Sequence, residues 1–262
     1  MWDALGVFVR LNRTNFLLAY GWMRPWVYGL TLIVRPAAQV IFFGVMARFI
    51  TGQADVSFQI IGNTIQVMAL ASLYTVAESL VLQRRNGTLA IVALAPRSRF
   101  FVFGGQIWLL GLHGIIITGA ALAIGAYGFG LDLGRANWLL LIGAIVTAVF
   151  ATSCLGTALG SLGLYLPDID LSGNITAGLL LTLCGINFPL EALPAALRTV
   201  AYALPMTRSV AAARLAVIGE GTGVGLLLGK ELALGLVWLA VGFVVYAWAE
   251  RKARKHATLE MF

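Results

Sequence analysis

Long, nearly unbroken apolar runs alternate with short clusters of charge along all 262 residues. A helix needs about 20 apolar residues to cross the hydrocarbon core of a bilayer. Six segments meet that length, at roughly 29–50, 58–82, 100–127, 137–162, 172–188 and 232–249. The fifth is short, starting after Leu171 and ending near Phe188-Pro189. A transmembrane barrel would instead show short segments with alternating hydrophobicity. The pattern therefore predicts an all-α polytopic membrane protein with six transmembrane helices, arranged as a single transmembrane domain over 1–262. An even number of spans puts both termini on one side.

Two segments are neither spans nor plain loops. At about 100° per residue, Asp3, Arg10, Arg13 and Thr14 share one arc of residues 2–22, and Trp2, Leu5, Val9 and Phe16 the other. This predicts an amphipathic helix lying in the membrane interface. Residues 189–231 contain Pro189, Pro194 and Pro205 with several charges, yet are rich in Ala, Leu and Val. Short re-entrant helices, dipping part-way into the outer leaflet before the last span, fit that composition.

Composition narrows the class further. Residues AVILMFWYC make up 60% of the chain and charged residues 11%, against about 25% charged in soluble domains. With a mean hydropathy of +0.90, this excludes a soluble enzyme, a disordered protein and a secreted disulfide scaffold. The formal charge of +7 reads as basic cytoplasmic loops, not as a nucleic-acid surface. Arg10, Arg13, Arg24, Arg35, Arg84, Arg85, Arg97, Arg99, Arg251, Lys252, Arg254 and Lys255 fall on one side of the six-span topology. Arg48, Arg135, Arg198, Arg208, Arg214 and Lys230 fall on the other, nearly cancelled by Asp55, Asp132, Glu191, Glu220 and Glu231. The Lys/Arg excess marks the cytoplasmic face, so both termini are expected in the cytoplasm of a cell or inner membrane protein. Residues 4–9 are too short for the apolar core of a signal peptide.

The catalytic inventory is nearly empty. Cys154 and Cys184 lie inside apolar runs, without CxxC or metal-ligand spacing. The nearest match to a phosphate-cradling Gly-x4-Gly-Lys-Ser/Thr loop begins at Val224 and ends at Gly229-Lys230-Glu231, failing at both ends. His113 and His256 have no obvious partners in sequence. No catalytic residue, metal site or cofactor is expected on this chain. Glu78, late in the second span, is the one acid clearly inside a span, one to two turns from Arg84 and Arg85. It reads either as an interfacial ion pair or as a coupling residue, and a lone acid argues against an ion-coupled carrier. Gly156-x-x-x-Gly160, and Gly221, Gly225 and Gly229, are spaced for close helix packing, within the chain or between subunits.

A transporter with neither an ion relay nor a nucleotide site must draw its work from a partner. The loop after the second span is where that contact is expected. It reads Gln83-Arg84-Arg85-Asn86-Gly87-Thr88-Leu89 and later Ala95-Pro96-Arg97-Ser98-Arg99, with a turn signal at Asn86-Gly87. The order of features resembles permease subunits of the type-2 ABC exporter family over nearly the full length. It comprises an interface helix, six spans, a charged Gly-Thr-Leu segment with a later Pro, and a Pro-rich region before the last span. That region is Phe188-Pro189-Leu190-Glu191-Ala192-Leu193-Pro194, then Ala203-Leu204-Pro205-Met206-Thr207, ending in Arg214. Two positions depart from the family pattern: Asn86 stands where many members carry an acid, and Leu166-Pro167-Asp168 lacks a basic residue before the Asp. Either departure bears on contact with the ATPase.

The resemblance implies two permease subunits, as a homodimer or heterodimer, with separate nucleotide-binding ATPase subunits that hold ATP and Mg. It makes Arg10, Arg13, Arg84, Arg85, Gly87 and Thr88 the candidates for coupling to that ATPase. Spans this apolar favour a hydrophobic or amphiphilic cargo such as a drug, antibiotic or lipid. A lipid-linked glycan exporter, a stand-alone secondary carrier, a membrane scaffold and an intramembrane enzyme are the alternatives.

Overall fold

The computed structural model describes residues 24–52, 56–85, 117–163 and 169–255. These form helices α1 (Pro25–Thr51), α2 (Ser57–Arg85), α3 (described over Ile117–Phe129), α4 (Trp138–Gly163) and α5 (Ile169–Leu183). A 3-10 turn at Leu190–Ala192 follows, then α6 (Ala195–Ala203), α7 (Thr207–Val217) and α8 (Val224–Lys255). No strand occurs among the described residues.

Local chemistry sets the ends. Pro25 opens α1, where its missing N–H costs nothing. Gly52, at φ 64°, closes that helix by donating its N–H to Arg48 O. Asn137 caps α4 through Oδ1, which accepts the Leu140 N–H at 3.3 Å. The Arg48 guanidinium joins the ends of α1 and α3, donating to Phe129 O at 3.1 Å and lying 4.9 Å from the Phe129 ring.

α4 is the central helix. It packs along α2 on one side and α8 on the other, and α7 wedges among all three. Glycines make these approaches close. A Cβ on Gly156 would lie 2.6 Å from Leu73 O, inside contact distance, so α4 and α2 meet backbone to backbone there. Beside it, the Ser72 and Thr152 hydroxyls share a hydrogen bond of 2.8 Å. Gly235 and Gly242 bring α8 onto α4 in the same way, facing Ala151 Cα and Ala158 N. α2 is thus a buried helix, 83% of its apolar window being covered, whereas α1 and α8 are covered over only 22% of theirs. Both peripheral helices present broad apolar faces, with Ile33, Phe42 and Phe49 on α1 and Leu236, Val237 and Val244 on α8.

Among the described residues, four helices are long and apolar enough to cross a membrane: Trp26–Ile50, Ser57–Ser79, Trp138–Gly163 and Val224–Ala249. The stretches Ile117–Phe129 and Leu171–Leu183 are shorter. The third expected span falls largely outside the described residues. The fifth stops as a helix at Leu183 and not at 188, because the chain turns through Gly185, at φ 68°, before Pro189. The last helix begins at Val224, not at 232, just after Gly223 at φ 79°. Lys230 and Glu231, expected in the segment of short outer helices before the last span, therefore occupy its first two turns, since one polar pair does not end a helix. Gly225 and Gly229 face open space, so that part of the glycine repeat does no packing within the chain. The expected interface helix at 2–22 lies outside the described residues.

Candidate functional site

A cleft of about 830 Å³ opens between α1, α2, α3 and α5. That volume suits a drug- or lipid-sized molecule. Leu30, Val34 and Ala38 of α1 and Val67 and Ala71 of α2 form apolar walls, while Arg35, Tyr74, Thr75, Glu78 and Asn174 supply polar groups. α1 packs antiparallel on α2, so the N-terminal half of one helix faces the C-terminal half of the other across the cleft. The Tyr74 hydroxyl donates to Asn174 Oδ1 at 2.9 Å and ties α2 to α5. Gly173 leaves room for that ring, since a Cβ there would lie 2.9 Å from Tyr74 Cε1. Pro36 lies inside α1 on the cleft wall, where it removes a backbone hydrogen bond from the helix.

Directly beside Ala38 and Val67 in sequence begins a layer of four carboxamides, Gln39, Gln66, Asn63 and Asn187. Gln39 Nε2 donates to Gln66 Oε1 at 2.8 Å and lies 3.4 Å from Asn63 Oδ1. Asn63 Nδ2 donates to Asn187 Oδ1 at 2.8 Å and to Gln59 O at 2.9 Å. Asn63 and Gln66 are buried. Buried amides are tolerated because each finds a partner.

Arg214 of α7 forms the next layer. Its Nη2 donates to Ile186 O at 2.9 Å and to Phe58 O at 3.1 Å, and its guanidinium lies 3.4 Å over the Phe58 ring. Gly62 is required here, because a Cβ would collide with Ile186 O and with Arg214 Nη2. By holding Ile186 O, Arg214 fixes the neighbouring Asn187 against Asn63.

A third cluster holds the corner between α6 and α7. Glu231 of α8 is fully buried; its carboxylate accepts the backbone N–H of Met206, and that of Arg208 at 3.1 Å. The Arg208 guanidinium lies 4.0 Å away. A carboxylate at the first turn of α7 satisfies orphan N–H groups and complements the helix dipole. The corner's carbonyls are also taken. Trp238 Nε1 donates to Ala203 O at 3.1 Å, Thr207 Oγ1 to Ala201 O at 2.6 Å, and Cys184 Sγ to Pro205 O at 3.5 Å. Met206 adopts φ 85° to make the corner.

Of the residues singled out from sequence, Glu78 lines the cleft. Arg84 and Arg85 end α2, and only their helical backbone is described. Arg10, Arg13, Gly87 and Thr88 lie outside the described residues. Sequence reasoning missed the amide layer and Glu231. Gln59, Asn63 and Gln66 were visible as polar positions within an apolar run, spaced four and three apart on one helical face. Among the described residues no group of three or more His, Cys, Asp or Glu is placed to hold a metal ion.

Long apolar helices packed through glycine, with their polar groups turned inward, define a multi-pass membrane protein. Comparison with known proteins sharpens that class. Residues 13–218 match the model of the ABC-2 type transporter family. The chain belongs to that family. It is also 24% identical over 194 residues to the inner membrane transport permease YhhJ of Escherichia coli K12, and equally to that of Shigella flexneri. The match covers 74% of this chain and 50% of each relative, so the chain spans about half the length of the curated relatives it matches.

Proposed function

We propose that this chain is the membrane-spanning subunit of an ABC exporter that moves a hydrophobic or amphiphilic molecule outward. Cargo of the drug, antibiotic or lipid class enters from the cytoplasm or the inner leaflet. ATP, with Mg, is hydrolysed on a separate subunit, and two permease subunits make up the path. The observation that carries this reading is the cleft, whose mainly apolar walls also present Arg35, Glu78 and a tyrosine–asparagine pair. Such a lining solvates a molecule with one greasy and one polar end. A glycan path has less support, since Tyr28 and Tyr74 are the only aromatic residues among those described on the cleft walls.

In this reading both termini face the cytoplasm of a cell-membrane protein, and residues 2–22 lie in the inner interface. The α6–α7 corner enters the outer leaflet as a re-entrant hairpin. Its backbone groups at Ala201, Ala203, Pro205, Met206 and Arg208 all meet side chains of the same protein. Irregular backbone at membrane depth needs that provision, because lipid offers no hydrogen bonds. Arg10, Arg13, Arg84, Arg85, Gly87 and Thr88 form the contact with the ATPase.

Purified alone, the chain is expected to hydrolyse no ATP, and to confer substrate-stimulated hydrolysis on an ATPase subunit that binds it. ATP hydrolysis by a preparation free of any ATPase subunit would overturn the reading.

A further inference from the structure

We infer that the four carboxamides beyond the cleft are its outward gate, shut in this structure, with Arg214 as the staple that sets one side of it. The inference rests on the cleft being the substrate route.

Position along the helices is the first argument. Going outward on α1, cleft-lining residues end at Ala38 and the next residue is Gln39. On antiparallel α2 they end at Val67 and the next is Gln66, with Asn63 one turn further. Among the described residues, a molecule leaving the cleft outward along α1 and α2 therefore meets the amide layer first. The bonds at that layer join three separate elements: α1, α2 and the turn after α5.

Chemistry is the second argument. An apolar plug would hold these helices together without any polar group to satisfy. Neutral amide bonds instead contribute modestly, because each replaces bonds the groups make elsewhere. A carboxamide both donates and accepts, so each partner released can bond water or a passing polar group. That suits a closure made and broken in every cycle better than a buried ion pair, whose separation leaves uncompensated charge.

The third argument is mechanical. Pro36 precedes Gln39 by less than one turn and leaves Leu32 O without its helical donor, so α1 has a point of bending just inside the gate. α1 is peripheral, and its far face is exposed. The opposite side is stiff: Arg214 holds both Phe58 O and Ile186 O, and Gly62 lets the segment carrying Asn187 lie directly on α2. Gln39 is the moving leaf and Asn63–Asn187 the fixed one.

The test uses the full-length chain in intact cells, with Cys154→Ser and Cys184→Ser, and Ala38→Cys as the reporter on the cleft side of the gate. A charged, membrane-impermeant methanethiosulfonate is added outside and the rate of modification measured. With all four amides present, modification is expected to be slow. In Gln39→Ala with Gln66→Ala it is expected to rise tenfold or more, while modification from the cytoplasmic side of inverted vesicles stays within twofold. Should that pair fail to insert, Asn187→Ala, outside the helices, is expected to raise the outside rate at least threefold. Outside rates within twofold of the parent, in whichever of these variants inserts, overturn the gate. The cleft itself is tested apart from this, by binding of a rhodamine dye to the purified parent and to Ala71→Trp. Equal binding counts against the cleft as the substrate site and leaves the labelling comparison standing.

Discussion

Glu231→Ala is expected to cost more stability than any other single side-chain truncation in the bundle. The carboxylate is fully buried and serves the Met206 and Arg208 N–H groups together with the Arg208 guanidinium. Truncation leaves the first turn of α7 without acceptors and a largely buried arginine without its counter-charge. Removing one partner of a buried charged pair costs about 3–5 kcal/mol. The left-handed turn at Met206 costs about 1–3 kcal/mol and is held by the same carboxylate. A fall of about 10 °C in the melting temperature of the detergent-purified chain is the corresponding scale. Glu231→Gln keeps one acceptor oxygen and should lose about half as much. Melting of both variants with the parent would show that the corner is held by packing alone.

The second large effect is on transport. Arg84→Glu with Arg85→Glu is expected to insert normally yet lower ATP-driven transport at least tenfold. Both residues end α2, the helix that also carries Val67, Ala71 and Tyr74 of the cleft and Asn63 and Gln66 beyond it. α2 is buried along most of its length, so a push at the end that carries them is passed along the helix to Gln66, and through it to Gln39 of α1, the moving leaf. From Arg85 to Asn63 that lever is about 33 Å long, at about 1.5 Å per residue. Reversing two charges at a docking contact costs several kcal/mol where like charges meet. Arg97, Arg99 and the basic tail retain the topology signal. If instead the arginines only bind anionic lipid headgroups, at about 1 kcal/mol each, the double variant will bind its ATPase subunit and transport at parental rates.

The fold was legible where apolar length alone decides it. Runs around 29–50, 58–82, 137–162 and 232–249 each became a long helix, and even Pro36 in the first does not end it. Boundaries were less legible where backbone conformation decides them. Gly185 and Gly223 take positive φ and stop or start helices without any change in hydrophobicity. Gly156 was readable as a packing glycine, but its partner Leu73 lies 83 residues away in sequence and only the fold pairs them. Glu78 was found because an acid in an apolar run stands out. Glu231 stood out less, because a neighbouring lysine and upstream glycines placed it at the end of the Pro-broken segment and outside the last span. Arg214 was noticed as one of the outer basic residues and as the end of a Pro-rich region. Its grip on Phe58 O spans 156 residues of sequence, beyond the reach of any local pattern.

The central claim is that this chain carries amphiphiles outward on energy supplied by a separate ATPase. Its most direct test is uptake of a rhodamine dye into inverted membrane vesicles containing the chain with an ATPase subunit that co-purifies with it. Uptake that requires ATP and Mg, and disappears when either subunit is omitted, is the expected result. Uptake that persists without ATPase and follows an ion gradient would contradict the account and make the chain a stand-alone carrier.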